Sequence, residues 1–262
     1  MKVGIIGAGN MAQALLMPLK TFFDDQKINI YVYTPSGTRA KILATHFDGN
    51  VAGELKDLND SDLLILCHKP QQLLEVSEMI SVNENCGVIS MLASIDVAQI
   101  EKSFGVKKVL RLMPNTPAQV GLGVVTYFYR DQYKNYFSHF IKALSNDSRM
   151  HQFLDESLID LTTPELGSGP GMVLELIRVF SASLVQKGLD EAQAVELASM
   201  VFYGSGKLAL SSDESPTELR NKVTSKGGIT HECLEVMKEK NIENIFHQAF
   251  KAGHNRAIEL KK

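Results

Sequence analysis

The chain has 262 residues, 44% of them hydrophobic and 22% charged, with a formal net charge of −3. That length allows one large domain or two modest ones, either able to bury a real core. Lys and Arg are spread along the chain, so the clustered basic face of a nucleic-acid binder is not expected.

The three cysteines, Cys67, Cys86 and Cys233, are an odd number with no pair at metal-ligand spacing, which fits a reducing compartment better than a disulfide framework. The N-terminus lacks the layout of a signal peptide, and no apolar run reads as long enough to span a bilayer. A cytoplasmic protein without membrane or nucleic-acid partners is the expectation.

Taken in order, Val3–Ile6, Ile28–Tyr33, Leu63–Cys67, Val88–Met91, Val109–Leu112 and Val124–Phe128 read as strands, being β-rich and closed by turn or polar residues. Helical patterns lie between them at Met11–Phe23, Thr38–His46, Gln71–Ile80 and Val97–Phe104, with another around Gln132–Leu144. Such alternation predicts a Rossmann-type, doubly wound parallel sheet with helices on both faces. After about Asp155 the strand signals stop. Helices are predicted over Gly171–Lys187, Asp190–Ser211, Pro216–Val223, His231–Lys240 and Asn244–Leu260, the second of them capped by Asp190. The fold class is therefore α/β followed by all-α, with domains at residues 1–154 and 155–262.

Gly7-Ala8-Gly9-Asn10-Met11-Ala12 follows the first predicted strand and opens a helix, the G-x-G-x-x-A dinucleotide fingerprint in its required setting. Gly7 makes the tight turn, Gly9 lets backbone approach a pyrophosphate, Ala12 allows close helix–strand packing, and the helix end supplies amides. A turn serving packing alone is the competing reading. At the end of the second strand, Tyr33-Thr34-Pro35-Ser36-Gly37-Thr38-Arg39 contains no acid to hold the ribose hydroxyls of NAD. Hydroxyls and Arg39 suit a 2′-phosphate, so NADPH is expected, with NADH weaker. Ser36 or Thr38 could also cap the following helix. The seven histidines sit at no ligand spacing, and no metal is expected.

Arg111-Leu112-Met113-Pro114-Asn115-Thr116-Pro117-Ala118 with Gly121 and Gly123, Lys69-Pro70, Gly167-Ser168-Gly169-Pro170 and Thr224-Ser225-Lys226-Gly227-Gly228-Ile229-Thr230 together resemble the Δ1-pyrroline-5-carboxylate reductase family, in order and spacing. The resemblance implies NADPH-dependent reduction of a cyclic imine acid to proline. It implies a cofactor held by Ile6, Gly7, Ala8, Gly9, Asn10, Met11, Thr34, Ser36, Cys67, His68, Lys69, Pro70, Met91, Leu92 and Ala93, with Asn115 in the same set. It further implies a dimer, with substrate bound between the nucleotide domain and helices of a partner subunit.

Thr230 matches the family threonine that bonds the substrate ring nitrogen. Ser225, Gly227, Gly228 and Ile229 match the loop taking its carboxylate, Ser168 lies in a segment on the family's active-site side, and Glu156 matches an acidic position at the family's proline site. The chain departs from the family pattern at Lys226 for proline, Pro164-Glu165-Leu166 for Gly-Leu-Ser, and His68 for a small apolar residue. Ser94 stands for glycine, Lys222 for asparagine and Met172 for tyrosine. A related imine or β-hydroxyacid reductase, or a non-catalytic NADPH-binding regulator, are the alternative readings.

Overall fold

The computed structural model describes residues 1–146 and 148–259. The sheet unit holds β1 (Lys2–Ile6), α1 (Asn10–Leu16), α2 (Lys20–Asp25), β2 (Asn29–Tyr33), α3 (Thr38–His46), β3 (Asn50–Val51), β4 (Leu63–Leu66), α4 (Leu73–Met79), β5 (Gly87–Ser90), α5 (Val97–Phe104), β6 (Lys108–Pro114), β7 (Gly123–Tyr129), α6 (Lys134–Leu144), β8 (Ser148–Gln152) and α7 (Ser157–Leu166). The strands form one sheet in the order β3-β2-β1-β4-β5-β6-β7-β8. Val3, Ile5, Ile65 and Ile89 pack with Leu15, Phe23 and Phe137 on one face. Ile6, Leu64, Leu66 and Val88 pack with Leu73, Ile100 and Phe104 on the other. Burial on both faces is why the central strands read as unbroken apolar runs.

The structure corrects several expectations. The sheet is mixed, because β7 runs antiparallel to β6. The link from Pro114 to Gly123 is too short for a helical crossover, which takes about a dozen residues or more. The predicted helix Met11–Phe23 is broken by a 3-10 turn at Met17–Leu19, where Pro18 has no N–H to donate. The strands β3 and β8 went unpredicted because one is two exposed residues and the other is the polar edge segment Ser-Arg-Met-His-Gln. The unpredicted α7 carries Pro164 inside it.

Compact units divide after Ser168: the first is Met1–Ser168 with the end of the last helix from His254, and the second is Gly169–Gly253. Thus α7, on the helical side of the predicted 154/155 boundary, is tied into the sheet unit. The second unit comprises α8 (Gly169–Val185), α9 (Glu191–Ser211), α10 (Pro216–Lys222), α11 (Ile229–Glu239) and the first part of α12 (Ile242–Glu259). The predicted end of the last helix at Leu260, like the rest of the predicted domain to 262, lies outside the described residues.

Asp190 caps α9 as expected, its carboxylate accepting Gln193 N–H at 3.1 Å. Large apolar side chains on α8 and α9 stay uncovered within the chain, among them Leu174, Met200, Leu208 and Leu210. The segment Ser157–Val185 is long and apolar enough, at a mean hydropathy of 1.2, to cross a membrane by length and composition, which corrects the expectation that no such run exists. It is divided into α7 and α8 at Gly167–Ser168, and one segment of this kind carries no membrane assignment.

Candidate functional site

Because β1 lies between β2 and β4, the winding of the sheet reverses at β1, and open α/β sheets bind ligands beyond the strand ends at such a point. Three loops leave this edge side by side. Gly7 N–H donates to Tyr33 O at 2.9 Å, Cys67 N–H to Ile6 O at 2.7 Å, and Met91 N–H to Leu66 O at 2.9 Å. Gly7 has φ +96°, and a Cβ there would stand 2.6 Å from backbone atoms of Cys67 and His68, so only glycine fits. Gly9 differs. It has ordinary torsions (φ −70°) and nothing within 4 Å of a built Cβ, which leaves its backbone open to a ligand.

Two buried side-chain atoms find no hydrogen-bond partner here: Thr34 Oγ1 after β2 and His68 Nε2 after β4. Buried polar atoms are otherwise almost always paired, so two orphans flanking one glycine turn mark a place where a polar ligand fits. His68 Nδ1 lies 2.9 Å from Lys69 O. A carbonyl only accepts, so Nδ1 carries the proton and Nε2 offers a lone pair. Burial lowers the His68 pKa and favours this neutral form. Beside it, burial pushes the Cys67 thiol up to about 12, with its sulfur 3.8 Å from Met91 Sδ.

At the end of β2, neither Ser36 nor Thr38 caps α3 with its side chain; Gly37, at φ 66°, occupies the cap. The Ser36 hydroxyl and the Arg39 guanidinium are exposed and take no hydrogen bond or ion pair among the described residues. Lys69 is exposed and precedes a 3-10 turn started by Pro70. Ala93 is half-buried in the loop after β5. Ser94 in that loop takes the left-handed φ of 63° and donates to Ala257 O at 3.4 Å, the outer limit of a hydrogen bond.

Several expected site residues are otherwise engaged. The Asn115 amide donates to Leu166 O at 3.0 Å and accepts Val124 N–H at 2.9 Å, so its side chain closes the loop. Glu156, expected near substrate, accepts at Oε1 from Val97 N–H at 2.7 Å and from Arg111 at 3.1 Å. The side chains of Ile6, Ala8 and Leu92 are core, leaving only their backbone for a ligand. Asn10 and Met11 open α1, exposed and half-buried respectively. Ser168 is exposed at the end of the first unit, its N–H bonded to Thr163 O at 3.1 Å.

In the second unit, Gly227 takes φ +68° and Gly228 caps α11. A side chain on Gly228 would overlap Ser225 Oγ, so the Ser225 hydroxyl folds over the turn. Ile229 and Thr230 form the first turn of α11, where backbone amides have no intrahelical acceptor. No side-chain cap takes them, and the half-buried Thr230 hydroxyl bonds nothing among the described residues. Open amides, two hydroxyls and a helix N-terminus together suit a carboxylate.

Sequence reasoning missed Arg111 and Asp160 as a pair. Arg111 is 1% exposed on β6, and its fork also meets Asp160 at 2.5 Å and 3.3 Å. The signal was present: an arginine between Leu110 and Leu112 in an apolar strand, and two acids four residues apart, hence on one helix face.

Residues 156–260 match the family described as pyrroline-5-carboxylate reductase dimerisation, and residues 2–94 match NADP oxidoreductase coenzyme F420-dependent. The chain is 32% identical to the pyrroline-5-carboxylate reductase of Synechocystis, over 100% of this chain and 98% of that one. With the Escherichia coli enzyme of the same name it shares 29% identity, over 100% and 98%. The solved pyrroline-5-carboxylate reductase of Coxiella burnetii superposes with a TM-score of 0.83 at 25% identity, covering 99% of this chain and 98% of that one. The Plasmodium falciparum pyrroline carboxylate reductase with NADP bound gives 0.82 at 21% identity, over 100% and 98%, a likeness of fold. By kinship along its whole length and by the match of its helical part, the chain belongs to the pyrroline-5-carboxylate reductase family.

Proposed function

We propose that this protein reduces Δ1-pyrroline-5-carboxylate to proline with NADPH. The observation that carries the reading is the turn Ser225–Thr230, with open amides and a free threonine hydroxyl, in a chain that also keeps an open glycine turn at the switch point of its sheet. NADPH would supply the hydride, which carries the electron pair. The chain's own residues hold and orient. Gly7–Met11 face the pyrophosphate, and Thr34, Ser36 and Arg39 face the 2′-phosphate, where an acid would repel it. Cys67–Pro70 and Met91–Ala93 would line the nicotinamide side.

Gly227 and Ile229 offer amides, and Ser225 a hydroxyl, to the substrate carboxylate, while the Gly228 N–H closes the turn onto Ser225 O at 2.9 Å. Thr230 Oγ1 accepts from the ring N–H of the protonated imine and donates to the nitrogen once it is an amine. Protonation makes the C=N carbon the better acceptor. Carboxylate and nicotinamide must come together in the working enzyme so that reacting atoms approach to about 3–3.5 Å. The uncovered apolar residues of α8 and α9 are the self-association surface, and a dimer is the assembly this reading assigns. The cytoplasm suits its three free thiols.

The test is steady-state kinetics of Thr230→Ala. One lost hydrogen bond to a charged group is worth about 1.5–3 kcal/mol, hence about ten- to a hundredfold in kcat/KM. NADPH affinity should hold, and Thr230→Ser should restore most activity. Loss of folding or of NADPH binding alone would make Thr230 a helix-start residue and remove the site from this turn.

A further inference from the structure

We propose that His68 recognises the nicotinamide half of the cofactor by accepting, at Nε2, a hydrogen bond from one of its donor groups. This rests on reading Gly7–Met11 as the cofactor turn. The geometry fixes the chemistry. Nδ1 is committed as donor to Lys69 O at 2.9 Å, so the ring presents a lone pair at Nε2 and has no proton to give there. That nitrogen is buried and unpartnered.

A histidine kept only to latch the turn before Pro70 would use Nδ1 alone and would gain nothing from a second buried nitrogen. The two buried orphan side-chain atoms among the described residues are this one and Thr34 Oγ1, on opposite sides of the same glycine turn. Position assigns the half of the ligand. His68 N lies 2.6 Å from where a Gly7 Cβ would be, on the β4 side of the switch point. With pyrophosphate at the turn and the adenosine ribose at the end of β2, the β4 side takes the other nucleotide half. Its donors are ribose hydroxyls and the carboxamide NH2. Both present N–H or O–H to a lone pair, so the shared requirement is an acceptor at Nε2.

The experiment measures NADPH dissociation constants by calorimetry for the unmodified protein, His68→Leu and His68→Gln, and the ring tautomer of His68 by 15N NMR in the unliganded protein. The expected result is the Nδ1–H tautomer, binding about tenfold weaker in His68→Leu, and recovery in His68→Gln, whose side-chain oxygen accepts near the Nε2 position. Repeating the titrations with 2′-phospho-ADP-ribose, which lacks nicotinamide, separates the sources. A persisting difference assigns a ribose hydroxyl, and a vanished one assigns the carboxamide. Equal NADPH affinity in His68→Leu, or an Nε2–H tautomer, overturns the inference while leaving the proposed function intact. Should His68→Leu fail to fold, His68→Gln and the tautomer decide. Failure of the unmodified protein to bind NADPH at all would sink the proposed function itself.

Discussion

Arg111 and Glu156 meet in the interior of the sheet unit, guanidinium Nη1 at 3.1 Å from carboxylate Oε1, and that same oxygen accepts the Val97 N–H at 2.7 Å. One carboxylate thereby joins β6, the start of α7 and the first turn of α5, immediately after the loop that carries Met91–Ser94. Asp160 completes a fork on the other guanidinium nitrogen at 2.5 Å. The arginine side chain is 2% exposed, so its charge depends on these partners.

Removing the arginine leaves two largely buried carboxylates facing each other without a counter-charge. Arg111→Met should therefore lower unfolding free energy by about 3–5 kcal/mol, the usual result of breaking one side of a buried pair. Glu156→Gln keeps an acceptor for Val97 and should cost less. Urea unfolding at one fixed protein concentration measures both. A loss in Arg111→Met no larger than about 1 kcal/mol would mean the network is not holding α7 to the sheet.

The two glycines of the dinucleotide turn should fail differently. Gly7→Ala forces a side chain into backbone 2.6 Å away at a positive φ, so the fold itself should suffer. Gly9→Ala meets nothing within 4 Å at ordinary torsions, so the protein should fold normally and lose NADPH affinity. Thermal unfolding and NADPH titration, done on both variants, separate the cases. Unchanged cofactor affinity in a folded Gly9→Ala would place the pyrophosphate elsewhere.

Cofactor choice should reside at the end of β2. NADPH is expected to bind more tightly than NADH, and Ser36→Asp to flatten or reverse the order, because a carboxylate repels the 2′-phosphate and accepts from ribose hydroxyls. The ratio of the two dissociation constants is the readout. Equal constants in the unmodified protein contradict the assignment.

Burial holds the Cys67 thiol up to about 12 and the Cys86 thiol up to about 11, so neither is a nucleophile near neutrality. Thiol titration of the native protein at about pH 8 should leave both unmodified, with Cys233, exposed on the subunit, the one group that reacts. All three should label after unfolding. Rapid native labelling of Cys67 would show that the edge of β4 is open to solvent.

The strands around the site were legible because β1, β4 and β5 are buried on both faces and their sequences follow from that. The glycine turn was legible because Gly7 answers a steric demand that acts locally. What stayed hidden depended on partners far away in sequence. Glu156 reads, through family resemblance alone, as a substrate-side acid, and its bonds to Arg111 and Val97 are invisible until the chain folds, as are those of Asn115 to Leu166 and Val124. Pro18 interrupts a periodicity that looks continuous. The antiparallel turn of β7 follows from connection length, which strand patterning does not carry. Residue pattern alone reads the turn at Ser225–Thr230 equally well as a helix start or as an anion site, and family resemblance singles out the site.

The central claim is that NADPH gives its hydride to the imine carbon of a cyclic imine acid. The most direct measurement uses NADPH deuterated at the transferable position of nicotinamide C4, with pyrroline-5-carboxylate, and locates the label in the product by NMR and mass spectrometry. The account predicts one proline formed per NADPH consumed, with deuterium on the ring carbon that neighbours nitrogen and does not carry the carboxylate. NADPH that binds but is not consumed, or proline without deuterium at that carbon, would contradict it.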